Sequence, residues 1–166
     1  MRNGIVLVLS LIALVGCGNK QEKSAQQENT SFEGTAQKLD YVSQGIVFLK
    51  QGEVSKAIQS LDQAIKEDPT NAEKYIVLGQ VYTQLHRPDR AVDTLSAAAK
   101  VAPTNGEVFY LLGLNMALDG RMQESMAVTQ KSLQIFQNER NQEKFTRSLA
   151  LLKDIQDGKV KQIERQ

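Results

Sequence analysis

The 166-residue chain has one cysteine, one histidine, three prolines and no tryptophan, and aromatic side chains make up only 5% of it. One cysteine excludes an intramolecular disulfide framework and any zinc site built from several thiolates. One histidine, His86, lacks the partners that a metal centre or a nucleophile–base pair requires. No HExxH, CxxC or GxSxG motif and no phosphate-cradling glycine loop is present. His86 lies near Asp89 between two helical segments and reads as an exposed turn residue. Charge of one sign is also missing: 20 Lys and Arg stand against 19 Asp and Glu. Arg2 is the only charged residue among the first sixteen, so the remainder is formally neutral and offers no long-range field for nucleic acid or an anionic surface. Lys153, Lys159 and Lys161 have no interleaved aromatics and read as a solvated tail. No catalytic site, metal, cofactor or nucleic-acid partner is expected, and the chain does not read as an enzyme.

A long hydrophobic run is absent as well. The apolar stretch Ile5–Val15, broken only by Ser10, falls well short of the roughly 20 residues needed to cross a bilayer. It follows the positive start Met1-Arg2-Asn3 and ends in Leu14-Val15-Gly16-Cys17, after which the chain turns polar at Gly18-Asn19-Lys20. That order of charge, short apolar core and small residue is that of a processed signal segment. Leu14-Val15-Gly16-Cys17 resembles the lipobox of bacterial lipoproteins. The resemblance implies removal of residues 1–16, diacylation of the Cys17 sulfur and, in many Gram-negative species, a third acyl chain. Each buried methylene adds about 0.8 kcal/mol, so two or three chains anchor a protein where one does so only marginally. With Gly18 rather than Asp after the cysteine, the same resemblance implies the outer membrane, with the protein facing the periplasm. Residues 17–35, in which Phe32 is the only large apolar side chain, bury too little to offset chain entropy and are expected to form a tether.

The rest of the chain, residues 36–158, repeats with a period of 34. The interval links Tyr41, Tyr75 and Phe109; Gly45, Gly79 and Gly113; Phe48, Tyr82 and Met116; Ala57, Ala91 and Ser125; and Ala64, Ala98 and Ser132. It also links Leu61 to Leu95 and Pro69 to Pro103. Tyr41, Gly45 and Phe48 fall on one helical face, as do Ala57, Leu61 and Ala64. Breaks at Gln51-Gly52, His86-Arg87-Pro88 and Asp119-Gly120 divide each unit into two antiparallel helices. Thr70-Asn71-Ala72-Glu73 and Thr104-Asn105-Gly106-Glu107 read as capping boxes.

This pattern, complete in Tyr75, Leu78, Gly79, Tyr82, Ala91, Leu95, Ala98 and Pro103, resembles the tetratricopeptide repeat. The resemblance implies an all-α, right-handed solenoid of about three helical hairpins, with repeats at about 38–71, 72–105 and 106–139. Gln44 takes a place usually held by Leu. The third unit departs further, with Thr129, Ser125, Ser132 and Gln137 at the Leu, Ala, Ala and Pro places, so its second helix is expected to run past 137 or leave at another angle. A capping helix is expected at about 141–157, with Phe145, Leu149, Leu152 and Ile155 on its apolar stripe and Leu151 beside it, followed by a polar tail at 159–166.

By the same resemblance the first helix of each unit lines a concave binding groove. The implied lining is Val42, Ile46, Leu49 and Lys50; Ile76, Gln80, Thr83 and Gln84; Tyr110, Leu114, Ala117 and Leu118. The family's carboxylate-binding grooves carry Lys, Arg and Asn at such places. The apolar set here favours an amphipathic helix over a C-terminal carboxylate, and exposed apolar surface of this kind is either a partner site or internally covered. The expected function is a membrane-anchored scaffold for protein–protein interaction in the bacterial envelope. Alternatives are a factor resembling the repeat-containing pilotins of secretin or type IV pilus systems, and a non-catalytic subunit of an envelope enzyme complex.

Overall fold

A computed structural model describes residues 40–161. The signal segment, Cys17, the tether with Phe32 and residues 162–166 lie outside the described residues. Seven α-helices and no strands occur among the described residues: α1 (Tyr41–Lys50), α2 (Val54–Glu67), α3 (Ala72–Gln84), α4 (Pro88–Val101), α5 (Gly106–Leu118), α6 (Met122–Asn138) and α7 (Gln142–Gln156). They pair in chain order as α1–α2, α3–α4 and α5–α6, with α7 packed against α6.

One left-handed residue closes each hairpin. Gly52, His86 and Gly120 have φ of 76°, 55° and 83° and are themselves 34 residues apart. At each, the next N–H reaches back five residues: Glu53 to Phe48 at 2.9 Å, Arg87 to Tyr82 at 2.9 Å and Arg121 to Met116 at 2.8 Å. This paired closure satisfies the last carbonyls of the first helix and turns the chain directly into the second. His86 is therefore a turn residue standing where glycine is cheapest.

The first helices begin on asparagine. Asn71 and Asn105 cap α3 and α5 by accepting from Glu73 N–H and Glu107 N–H, each at 3.0 Å. The expected capping boxes are thus corrected by one residue: the caps are Asn71 and Asn105, not Thr70 and Thr104. The Thr70 hydroxyl instead donates to the Asp68 carboxylate at 2.8 Å, which leaves the Asn71 amide to face the helix. Asp40 caps α1, accepting from Val42 N–H and Ser43 N–H at 3.0 Å each. The Ser43 hydroxyl also donates to it and holds its carboxyl below the usual aspartate range.

The three repeat glycines occupy equivalent sites. A methyl placed on Gly45 would come within 2.9 Å of Leu61 Cγ, and one on Gly79 within 2.7 Å of Leu95 Cγ. On Gly113 it would run into the Thr129 hydroxyl. Each missing Cβ admits the residue sixteen places later, which is why the two helices of a hairpin approach so closely. Leu61 and Leu95 are wholly buried, each contributing about 2 kcal/mol through area removed from water.

The third unit keeps this geometry with polar side chains. Ser125 Oγ donates to Gly113 O at 2.6 Å, so the serine ties its hairpin across the close approach. The Thr129 hydroxyl is buried with no hydrogen-bond partner. Without a proline at 137, α6 runs to Asn138 and is 17 residues long against 14 for α4. Its last turn brings the Phe136 ring, 1% exposed, onto Gly106.

Helix α7 begins on a third capping asparagine, Asn141, which accepts from Lys144 N–H at 3.1 Å. Counted from the caps, Ser148 corresponds to Leu78 and Leu112, and Leu149 corresponds to Gly79 and Gly113. α7 is therefore a fourth first helix whose glycine has become leucine. A hairpin partner could not approach there as closely as in the first three units. The expected apolar stripe is corrected accordingly: Leu149 is 48% exposed, and the buried face is Ser148, Leu151, Leu152 and Ile155. The face is set by where α5 and α6 lie, and a run holding Leu149, Leu151 and Leu152 has two apolar faces to offer.

Candidate partner-binding surface

α3 touches α5, and α5 touches α7, in addition to their hairpin neighbours. The first helices thus form the closely spaced inner row, and the residues expected to line a groove all stand on this row. Their environments differ along it.

On α1, Val42 and Leu49 are partly buried against the cluster of Leu61, Leu78 and Val81. Ile46, between them on the same face, is 40% exposed, and its neighbour Val47 is 38% exposed. Lys50 is exposed. On α3, Gln80 and Gln84 are exposed, whereas Ile76 is only 4% exposed and belongs to the central cluster with Leu95, Leu111 and Leu112. The expected placement of Ile76 on the groove surface is corrected: α5 packs over this side of α3 and takes it into the core. Thr83 Oγ1 lies 2.9 Å from Gly79 O and 2.9 Å from Asn115 Oδ1. Asn115, fully buried, in turn donates from Nδ2 to Leu111 O at 2.9 Å. This small network joins α3 to α5 beneath the inner surface, and sequence periodicity gave no sign of it.

At the α5 end the row is internally covered. Tyr110 and Leu114 pack against a cluster of Ala117, Leu151 and Ile155, together with Val160 from the chain beyond α7. Ala117 is fully buried and Leu118 is partly exposed. The Arg147 guanidinium sits 4.1 Å from the Tyr110 ring centroid and pairs with Glu107, to which Lys144 Nζ also comes within 3.8 Å. A cation over an aromatic face and an ion pair at its edge hold α7 across α5. Burial pushes the Tyr110 phenol above its usual range, with Arg147 opposing. The open part of the inner row is therefore its α1–α3 half, where Ile46 and Lys50 on α1 and Gln80 and Gln84 on α3 are exposed. The charged clasp over Tyr110 was missed because Arg147 and Glu107 are 40 residues apart and no pattern pairs them.

Among the described residues no group of three or more His, Cys, Asp or Glu could hold a metal ion, and no helix is long and apolar enough to cross a membrane.

Residues 48–114 match the family described as tetratricopeptide repeat. No curated protein matches the chain. Solved structures of the same fold include the second TPR domain of human RPAP3 in complex with an HSP70 peptide, at 18% identity and TM-score 0.61, covering 70% of this chain and 92% of that one. The TPR2B domain of yeast Sti1 in complex with pHsp70 is 11% identical, with TM-score 0.65 and 71% and 94% coverage. The Yersinia enterocolitica type III secretion chaperone SycD, in complex with a peptide of the translocator YopD, is 16% identical, with TM-score 0.63 and 72% and 92% coverage. With three glycine-spaced hairpins followed by a further first helix, the described residues form an all-α solenoid of tetratricopeptide-repeat type.

Proposed function

We propose that this protein is a lipid-anchored scaffold of the bacterial envelope that captures an apolar or amphipathic segment of another protein on the inner face of α1 and α3. The observation that carries the reading is Ile46. It is a large aliphatic side chain, 40% exposed, on α1 at the open end of the inner row, flanked by Val42 and Leu49 on the same face. The human, yeast and Yersinia structures each hold a protein or peptide partner, which supports a peptide as the ligand class. The HSP70 peptide of the human structure, SGPTIEEVD, ends in an acidic segment. Here Lys50 is the only charge among the proposed lining residues, and the nearby Arg147 and Lys144 are engaged with Glu107. A helix laying aliphatic side chains against Ile46, with polar groups meeting Gln80 and Gln84, suits this chemistry better than a free carboxylate.

Anchoring rests on Leu14-Val15-Gly16-Cys17 and the apolar run before it, with Cys17 acylated and the folded part facing the periplasm from the outer membrane. Two measurements separate anchor from groove. Labelling with an alkyne palmitate analogue, followed by fractionation, should show label and membrane retention lost together in Cys17→Ser. Quantitative co-purification from detergent-solubilised membranes should show one enriched partner that Ile46→Asp releases and the exposed control Leu149→Asp retains, with helical circular dichroism unchanged in both. Retention of every partner by Ile46→Asp would overturn the groove.

A further inference from the structure

The junction between α6 and α7 differs from the two preceding junctions between repeats in three ways. Asp68-Pro69 and Ala102-Pro103 interrupt the chain after α2 and α4, where proline forbids a continuous helix. Gln137 to Asn141 contains no proline or glycine, and every residue in it can be helical. The bend rests on Asn141, whose ψ of 87° leaves the helix, and on Arg140, at φ 56°, a left-handed conformation that a non-glycine residue adopts at a cost. Its closure consists of Arg140 N–H to Gln137 O at 3.1 Å and Asn141 N–H to Phe136 O at 2.9 Å, which a straight helix would replace with its own ladder. A recess of about 320 Å³, lined by Phe136, Gln137, Arg140, Asn141, Gln142 and Phe145, lies beside the bend.

The joint that α7 makes is also the polar one. Leu61 with Leu78, and Leu95 with Leu112, share apolar clusters at the first two joints. The corresponding residues at the third are Thr129 and Ser148, fully buried, with hydroxyls that have no hydrogen-bond partner. Buried hydroxyls without partners lower the free energy needed to separate the helices that bury them.

We infer that two copies of this chain exchange α7. The bend at 139–141 straightens, α6 and α7 become one helix from Met122 to Gln156, and each α7 docks on α5 and α6 of the other copy. The contacts of Leu151, Leu152 and Ile155 and the Arg147–Glu107 pair are remade between copies, so they cancel in the balance. Two terms remain: relief of Arg140 at both bends favours the dimer, and lost translational freedom favours the monomer. Short strained connections are the usual sites of such exchange. Arg140 therefore sets the monomer–dimer ratio, while Thr129 and Ser148 set how fast it is reached. This inference stands apart from the groove, because Ile46 takes no part in it.

The test is size exclusion with light scattering on the full chain in detergent, over concentrations up to millimolar. Separate, slowly interconverting monomer and dimer peaks are expected. Arg140→Gly should weaken the dimer about tenfold, which corresponds to roughly 1.4 kcal/mol over two bends. Thr129→Leu with Ser148→Leu should slow interconversion and leave the final ratio unchanged. In a Cys17→Ser background, oxidised Thr129→Cys with Ser148→Cys should give covalently linked pairs from the dimer peak and single chains from the monomer peak. A chain that stays monomeric at every concentration overturns the exchange. So does a dimer whose affinity ignores Arg140→Gly, and that comparison decides the matter if the cysteine variant does not fold.

Discussion

Between α2 and α3, and again between α4 and α5, a pair of leucines shares one apolar cluster. Between α6 and α7 the same two places carry Thr129 and Ser148, whose hydroxyls are buried without partners. The backbone frame is nevertheless retained: the glycine that admits residue 61 or 95 also admits residue 129, and the capping asparagine recurs at the head of α7. Small residues at fixed places thus specify how helices approach, while the residues between them decide how firmly they hold. A repeat array adds such nearest-neighbour terms one by one, so a weak joint can sit at one end of it without disturbing the others.

The comparison can be broken most directly at the apolar joint. Leu95, fully buried at the centre of the array, should cost about 3–4 kcal/mol on truncation in Leu95→Ala, read as a lower urea midpoint. Next comes the close approach itself. Gly79→Ala gains about 1 kcal/mol of helix propensity but drives a methyl into Leu95 Cγ, which has no free space to yield. Overpacking of that kind costs about 1–3 kcal/mol. The clash should win, with a net loss of up to about 2 kcal/mol; a gain in thermal stability would show that the hairpin can open to accept it.

At the polar joint the sign should reverse. Thr129→Val keeps the shape and removes a buried hydroxyl that has no partner, so it should stabilise by about 1 kcal/mol. Slower hydrogen exchange should appear in α6 and α7 and not in α1. The smallest effect belongs to the turns. His86→Gly brings the second hairpin to the glycine closure of the first and third, and should gain between a few tenths and about 1 kcal/mol, because relief of the left-handed backbone exceeds the entropy glycine adds to the unfolded chain. Loss of stability there would mean that the imidazole makes a contact the turn depends on.

Much of this was legible in the chain. The positions of all three hairpins, the role of the repeat glycines, the turn at His86 and the lengthened α6 follow from spacing and from the missing proline at 137. The errors have local causes. Asparagine competes with the neighbouring threonine for the same orphan N–H groups, so the helix start shifted by one residue. Ile76 lies on the inner row by period but under α5 in space. Leu149 and Leu151 are near neighbours on a helix with two apolar faces, and only the position of α6 chooses between them. The inner surface at Tyr110 is covered by Arg147, a pairing across 40 residues that no local pattern encodes.

Sequence by itself determined the helices and their pairing, because those depend on where a Cβ is absent and where a proline stands. Tertiary structure alone decided which half of the inner row stays open and which hydroxyls are left unpaired. Burial depends on the neighbour that arrives from elsewhere in the chain, and the same side chain is surface or core according to whether that neighbour lies over it.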